Sequence, residues 1–163
     1  MAEDKSTYSS DIDVPFRFKR KPMPIAAELR PDWKMAALLL ILQRSSHGGK
    51  SSLKRLHILN WAVRSPRFRV EFQQAQKDPL PLFGFNVRFE PAFSRAIDLA
   101  VGEGFVQWVG GDRLQITAKG KRWVSEIEKD ESVMREEREF FSKIGKSLTE
   151  KSAASMLKPG GAW

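Results

Sequence analysis

The sequence predicts a mostly α-helical domain with one small β-hairpin, and three observations support this prediction. Residues 105–109 and 114–117 are short β-prone runs, and the glycines between them supply the positive φ angles of a tight turn. An apolar-leaning segment, residues 91–103, precedes the hairpin. Thr117 follows it and is a good N-cap for a further helix. Helix, hairpin and capped helix in this order are typical of a winged helix-turn-helix-like domain.

The composition is that of a globular chain without thiol chemistry. The chain has 163 residues, enough for one domain plus extensions, and it contains no cysteine, so disulfides and thiolate metal sites are excluded. His47 and His57 have no ligand-like companions nearby, and we expect neither a metal nor a cofactor. The longest apolar run, residues 35–42, is too short for a membrane span. No apolar signal segment follows Met1, so a cytoplasmic location without membrane contact is expected.

Charge is distributed unevenly along the chain. Residues 1–70 carry 14 Lys/Arg against 6 Asp/Glu, whereas residues 71–163 carry 14 of each. The basic excess therefore lies entirely upstream of the hairpin. A cluster of this kind can hold a polyanion by releasing its counterions.

Four elements are predicted before the helix that begins at Pro91. We call that helix the third helix, after its place in a winged helix, and do not count the segment 67–77. The first helix begins at Pro31-Asp32 and is apolar on nearly every side, which is typical of a central core helix. The second covers about residues 51–64, with Ser51 or Ser52 as its cap. Residues 67–77 show both strand and helix patterns, and we favour a helix. Alternating phenylalanines predict a short strand at 83–89.

The third helix begins at Pro91 and is predicted to pack Phe93, Ala96, Ile97 and Ala100 inward. The helix after the hairpin is predicted to continue to about Phe141 and, being almost wholly charged in its middle, to project from the domain. The apolar residues after this charged part are expected to form an exposed, partner-binding patch. They are Phe140, Phe141, Ile144 and Leu148. The resulting division is a basic extended arm (1–24), a winged-helix domain (25–130) and a C-terminal helical extension (131–163).

Basic residues of the first half are the candidates for nucleic-acid contact. A stripe along the second helix could grip phosphates, with Trp61 as a flat apolar contact between the cations. The alternative is a solvated helix face with Trp61 partly buried against the segment that follows. The candidate ligands in the arm and the stripe are Arg17, Lys19, Arg20, Lys21, Lys50, Lys54, Arg55, Arg64, Arg67 and Arg69.

Sequence-specific reading of DNA by the third helix is not expected. Arg95 is its only cation, against Glu90, Asp98 and Glu103. The resulting net negative charge of the helix is repelled by a phosphate-lined groove. About 25 residues separate the second and third helices, where helix-turn-helix motifs use a turn of three or four.

No catalytic constellation is recognisable, so we expect no enzymatic activity. The Gly48-Gly-Lys-Ser51 segment lacks the first glycine and the preceding strand of a phosphate-binding loop. The Gly102-Glu-Gly104 segment lacks the third glycine of a dinucleotide motif and is better interpreted as a helix C-cap.

Several motifs resemble the middle component of ABC-three-component defence systems, the Lamassu type included. They are Leu53-Lys-Arg-Leu56, Trp61-Ala-Val-Arg-Ser-Pro66 and Arg88-Phe-Glu-Pro91, followed by Leu114-Gln-Ile-Thr-Ala-Lys-Gly120. The resemblance covers about residues 30–130. It implies a non-catalytic winged-helix subunit of a prokaryotic antiphage complex, which links an effector, often a nuclease, to an SMC-like ABC ATPase.

Residues and resemblance together predict an adaptor. We expect it to dock on the ATPase through the hairpin, with Trp108 and Arg113, and through the apolar faces of the C-terminal helix. The basic first half is expected to face double-stranded DNA without sequence preference. The alternative is a winged-helix transcriptional regulator that dimerises through the long C-terminal helix and binds DNA.

Overall fold

The structure is a computed structural model that describes residues 25–77 and 89–156. These residues form seven α-helices and three short strands. In chain order they are α1 (Pro31–Ser45), β1 (Lys50–Ser52), α2 (Leu53–Val63), α3 (Pro66–Lys77), α4 (Pro91–Gly102), β2 (Val106–Trp108), β3 (Arg113–Ile116), α5 (Ala118–Glu128), α6 (Arg135–Ile144) and α7 (Glu150–Met156). The predicted arm, residues 1–24, and all but the last residue of the predicted strand at 83–89 lie outside the described residues.

Helix α1 is the centre of the core. All the residues from Ala36 to Leu42 are buried, because α4, α5, α6 and α2 pack around the helix. A helix with no polar face gains most when it is enclosed in this way, since each buried aliphatic side chain stabilises the fold by about 1.5–3 kcal/mol. The prediction of a central core helix is confirmed, as is the helical interpretation of residues 67–77, which form most of α3.

The three strands form one antiparallel sheet in the order β1-β3-β2. The predicted hairpin is confirmed as β2 and β3, with Trp108 opposite Leu114 and a turn in which Gly110 and Gly111 have positive φ angles of 100° and 57°. Strand β1 was not predicted, because three residues are too few to show a period and its pairing partner lies more than sixty residues away. It adds a third strand to the side of β3 that β2 leaves open.

Caps connect the hairpin to the helices on either side. Helix α4 ends in a Schellman motif, in which Gly104 has a φ of 72° and Phe105 N–H donates to the Ala100 carbonyl at 2.9 Å. Thr117 caps α5 by accepting from Gly120 N–H at 3.1 Å. Gly120 is required because a Cβ there would collide with the Phe105 carbonyl oxygen. Both predicted caps are confirmed.

The prediction of one continuous helix to about Phe141 is wrong. Helix α5 ends at Glu128, and the Asp130 side chain accepts from Ser132 N–H at 2.9 Å in a local turn that competes with helix. Met134 then adopts a left-handed conformation, with a φ of 49°, and α6 packs back on α1. The sequence did not reveal this break, because the Asp, Ser and charged residues around it also fit a helical spacing.

The prediction of an exposed apolar patch is wrong for the same reason. Phe140, Phe141, Ile144 and Leu148 are between 0% and 6% exposed and belong to the main core. The Phe140 ring lies edge-to-face against Phe72 of α3, with centroids 6.0 Å apart. These four side chains are therefore not available to a partner. The predicted boundary at residue 130 falls in the turn between α5 and α6, and the residues after it complete the core.

Candidate functional site

The middle of the predicted basic stripe of α2 is buried in the fold. Arg55 and Trp61 of this stripe are 3% and 8% exposed, and His57 between them is 2% exposed. Lys50 and Lys54 are exposed at its beginning, and Arg64 lies at its end. Helical spacing placed His57 and Trp61 on one face with Lys50, Lys54 and Arg64. It could not show that the middle of this face packs against the rest of the protein.

Arg55 is a structural residue, and the prediction that it grips phosphate is wrong. Its guanidinium donates to the hydroxyls of Ser46 and Ser51 at 2.8 and 3.0 Å and to the carbonyls of Leu148 and Ser45. Burial lowers the pKa of Arg55 below its usual value, and the nearby Glu150 carboxylate opposes this effect. The side chain thus joins the end of α1, strand β1 and the segment before α7.

Trp61 is packed inside the fold rather than presented to a ligand. Its ring stacks on Phe68 of α3 with centroids 4.9 Å apart and an interplanar angle of 24°. The part of the alternative that buries Trp61 against the following segment is therefore confirmed, whereas its solvated helix face is not found.

Two other candidate arginines, Arg67 and Arg69, are paired with carboxylates. Arg67 contacts Glu71 at 2.7 Å, and Arg69 contacts Glu136 at 2.9 Å while also donating to the Val63 carbonyl. Arg44, which was not a candidate, contacts Glu128 at 2.7 Å. All three of these acids belong to the neutral second half of the chain. The uneven charge of the sequence is thus partly cancelled by pairing between the halves.

A polar cluster around Glu90 joins α1, α2 and the beginning of α4. Lys34, only 1% exposed, contacts Glu90 at 2.7 Å, and the Asn60 amide donates to the same carboxylate at 3.0 Å. Arg64 lies 3.9 Å from it. Burial by itself would raise the pKa of Glu90, but the Lys34 and Asn60 hydrogen bonds and the positive charges of Arg64 and Lys34 lower it overall. A buried lysine needs such a partner.

Sequence reasoning missed this cluster. A single glutamate before Pro91 has the pattern of an ordinary helix start, and Lys34 lies within an otherwise apolar run. The only signal was that lysine itself, since a charge on a core helix requires a buried partner.

His57 lies beside this cluster in an aromatic environment. Its ring is 4.2 Å from the Phe89 ring and 5.2 Å from the Phe93 ring, measured between centroids. Burial lowers the pKa of His57 to about 4, although Glu90 favours the charged form. The imidazole is therefore neutral at physiological pH, and its environment is that of a core residue.

The outer face of the sheet is polar and carries two of the predicted cations. Lys50 lies opposite Gln115, which in turn lies opposite Gln107, so all three share one face. Arg113 is two residues from Gln115 and lies on the same face. It is the diagonal neighbour of Lys50, for which a Cα–Cα distance of about 7–8 Å is typical. The structure thus brings together a nucleic-acid candidate and a partner candidate that are more than sixty residues apart in sequence.

A depression of about 180 Å³ opens beside this face. Its lining consists of His47, Lys50, Arg55, Arg113, Leu148, Thr149 and Glu150. Three cations and an imidazole face one carboxylate there, so the depression is suited to an anion.

The outward face of α4 is not basic. Arg95 is its exposed cation, and Asp98 and Glu103 are exposed at the same helix together with Leu99, which is 50% exposed. The exposed charges of α4 and its C-cap are thus one cation and two acids. Trp108, at the end of β2, is 47% exposed, a large fraction for a tryptophan.

Metal-binding and membrane-spanning features are both absent from residues 25–77 and 89–156. This part of the chain contains no group of three or more metal-ligating side chains and no helix with the length and hydrophobicity of a membrane span.

Comparison with family models, with curated proteins and with solved structures finds no match for this chain.

Proposed function

We propose that the part of the chain from α1 to α5 is a winged helix. The support is the order helix, strand, two helices, helix, hairpin, helix, with β1 pairing to the hairpin so that the sheet has the order β1-β3-β2. Helix α3 occupies part of the long insertion that the sequence places before the third helix. The hairpin is the wing.

We propose further that this winged helix is a non-catalytic adaptor that binds an SMC-like ABC ATPase and an effector, in keeping with the family that its sequence resembles. The observation that carries this proposal is the exposure of Trp108 at the wing, combined with an α4 face that bears Leu99 and two acids rather than a row of cations. Tryptophan is among the residue types most enriched at the energetic centres of protein interfaces. A winged helix with this surface is better suited to a protein than to base edges.

Contact with double-stranded DNA without sequence preference is part of the same proposal. Its support is narrower than the sequence indicated, because Arg55 is buried and the largely buried Arg69 is paired with Glu136 and Glu137. Arg67 forms only a surface pair with Glu71 and stays 83% exposed. Within the described residues, Lys50, Lys54 and Arg113 are exposed cations near the wing.

Co-expression with the proteins encoded on either side of its gene tests the adaptor role. We expect an ABC-type ATPase to co-purify with the wild-type chain, and Trp108→Ala to weaken the complex about tenfold or more. Val133→Ala is the matched control, because Val133 is 40% exposed in the turn between α5 and α6. A complex that tolerates Trp108→Ala as well as Val133→Ala would exclude docking through the wing.

The alternative, a transcriptional regulator, depends on a long C-terminal helix that the described residues do not form. It requires a long C-terminal helix for dimerisation, whereas α5 ends at Glu128 and α6 covers α1 with its apolar face buried. We therefore propose no second function. A homodimer that protects a defined operator sequence would contradict the adaptor proposal.

A further inference from the structure

We propose that the depression beside the wing binds a backbone phosphate of double-stranded DNA, with Lys50 and Arg113 as its ligands and Glu150 as an internal negative charge that weakens binding. This inference rests on the DNA contact in the proposed function and assigns that contact to a place. It moves the contact from the α2 stripe to the junction of β1, β3 and the segment before α7.

The size of the depression favours a phosphodiester group over a whole nucleotide. Small-molecule pockets usually measure about 300–1,000 Å³, whereas this depression measures about 180 Å³. It lies beside the polar sheet face formed by Lys50, Gln107 and Gln115, along which a nucleic-acid backbone can continue. Amide side chains of this kind commonly contact phosphate oxygens.

The charges of the lining favour an anion. Arg55 lies at the depression, and its guanidinium donates to neutral hydroxyl and carbonyl oxygens. It forms no direct ion pair within the described residues, and the Glu150 carboxylate is the nearby negative charge that acts on it. Lys50 and Arg113 add two exposed cations, and Glu150 contributes the one negative charge of the lining.

Glu150 has a structural task that keeps it in this place. Its carboxylate accepts from Ser52 N–H at 3.1 Å and from the Ser52 hydroxyl, at the N-cap of α2. In a capping box, a Glu or Gln three residues after the cap accepts from that N–H. Here that position is Arg55, and Glu150 supplies the acceptor from 98 residues away. The cost of this arrangement is a negative charge inside a basic depression.

Duplex binding by charge variants of the full chain tests the proposal. With a short labelled duplex of arbitrary sequence, Lys50→Gln with Arg113→Gln is expected to weaken binding roughly tenfold and to lower the slope of log K against log salt by about one for each cation removed. Both side chains are exposed, so this variant should fold. The matched control, Lys121→Gln with Arg122→Gln on α5, removes the same charge from other exposed positions and should leave binding unchanged.

Glu150→Gln gives the distinguishing result. The glutamine retains an oxygen acceptor for Ser52 and removes the charge, so binding is expected to become roughly two- to fivefold tighter. If Glu150 has only a structural role, Glu150→Gln would instead lower thermal stability without tightening duplex binding. That outcome would overturn the proposal. Circular dichroism of each variant reports whether it is folded.

Two further outcomes separate this inference from the proposed function. If the wild-type chain binds the duplex and the Lys50/Arg113 variant binds equally well, the depression is not the site, while the proposed DNA contact stands. If neither the chain nor its complex with the ATPase binds duplex, the DNA contact fails together with this inference, whereas co-purification still reports on the adaptor role. Binding of inorganic phosphate alone, without duplex binding, would identify a small-anion site and refute the assignment to DNA.

Discussion

His57 makes the stability of the fold depend on pH in the mildly acidic range. The imidazole is 2% exposed and lies against the rings of Phe89 and Phe93. Burial lowers the pKa of His57 from 6.5 to about 4 and outweighs Glu90, which favours the charged imidazolium. Lys34 and Arg64 contact the same Glu90 carboxylate at 2.7 and 3.9 Å.

The sign and the size of the effect follow from this difference in pKa. Between pH 6.5 and pH 4 the unfolded chain binds a proton at His57 that the folded protein does not bind. Stability is therefore fully present above about pH 6.5 and is lost as the pH falls toward 4. One pKa unit corresponds to about 1.4 kcal/mol, so the loss is about 2 kcal/mol between pH 7 and pH 5 and about 3 kcal/mol by pH 4.

Urea unfolding at a series of pH values measures this loss. We expect the free energy of unfolding of the wild-type protein to fall with pH by the amounts given above, and His57→Leu to have a flatter profile between pH 7 and pH 5. The comparison uses the slope, so any change in packing caused by leucine does not affect it. His47→Gln is the control, since His47 is exposed, and its profile should follow the wild type.

Parallel profiles for wild type and His57→Leu would refute the reasoning. They would mean that the imidazole is solvated in the folded protein and titrates there as it does in the unfolded chain. The measurement is best limited to pH 5 and above, because the lowered pKa of Glu90 makes the folded state lose further stability as pH falls below about 4.5.

The other predictions concern helices α4, α5 and α6. Gly120→Ala should lower the free energy of unfolding by roughly 2 kcal/mol or more, because its Cβ meets the Phe105 carbonyl oxygen. Gly102→Ala, with open space around the added methyl, should be neutral or stabilising by up to about 1 kcal/mol in the same urea titration. Phe141→Ala should cost about 3–5 kcal/mol, and a change below about 1 kcal/mol would show that α6 does not pack on α1 as described.

Local rules of the chain identify most of the elements. The all-apolar run of α1, the Gly110-Gly111 turn, the Thr117 cap and the Schellman glycine at 104 each have a short-range physical cause, and each is found where the sequence predicts it. Such features depend on residues a few positions apart. Strand β1 and the break after α5 depend on distant partners and on competition between local turns and helix, so pattern alone misses them.

The candidate site divides in the same way. The sequence by itself determines that the first half is basic, that α4 is not, and that Trp108 lies in a hairpin, because these are properties of composition and order. Only the tertiary structure decides which of those cations are available. It buries Arg55, pairs Arg69 with Glu136 of α6, and places Lys50 beside Arg113 across two paired strands. The physical reason is that the sequence determines which side chains are charged. The solvation of each charge and its partners are established only when the chain folds.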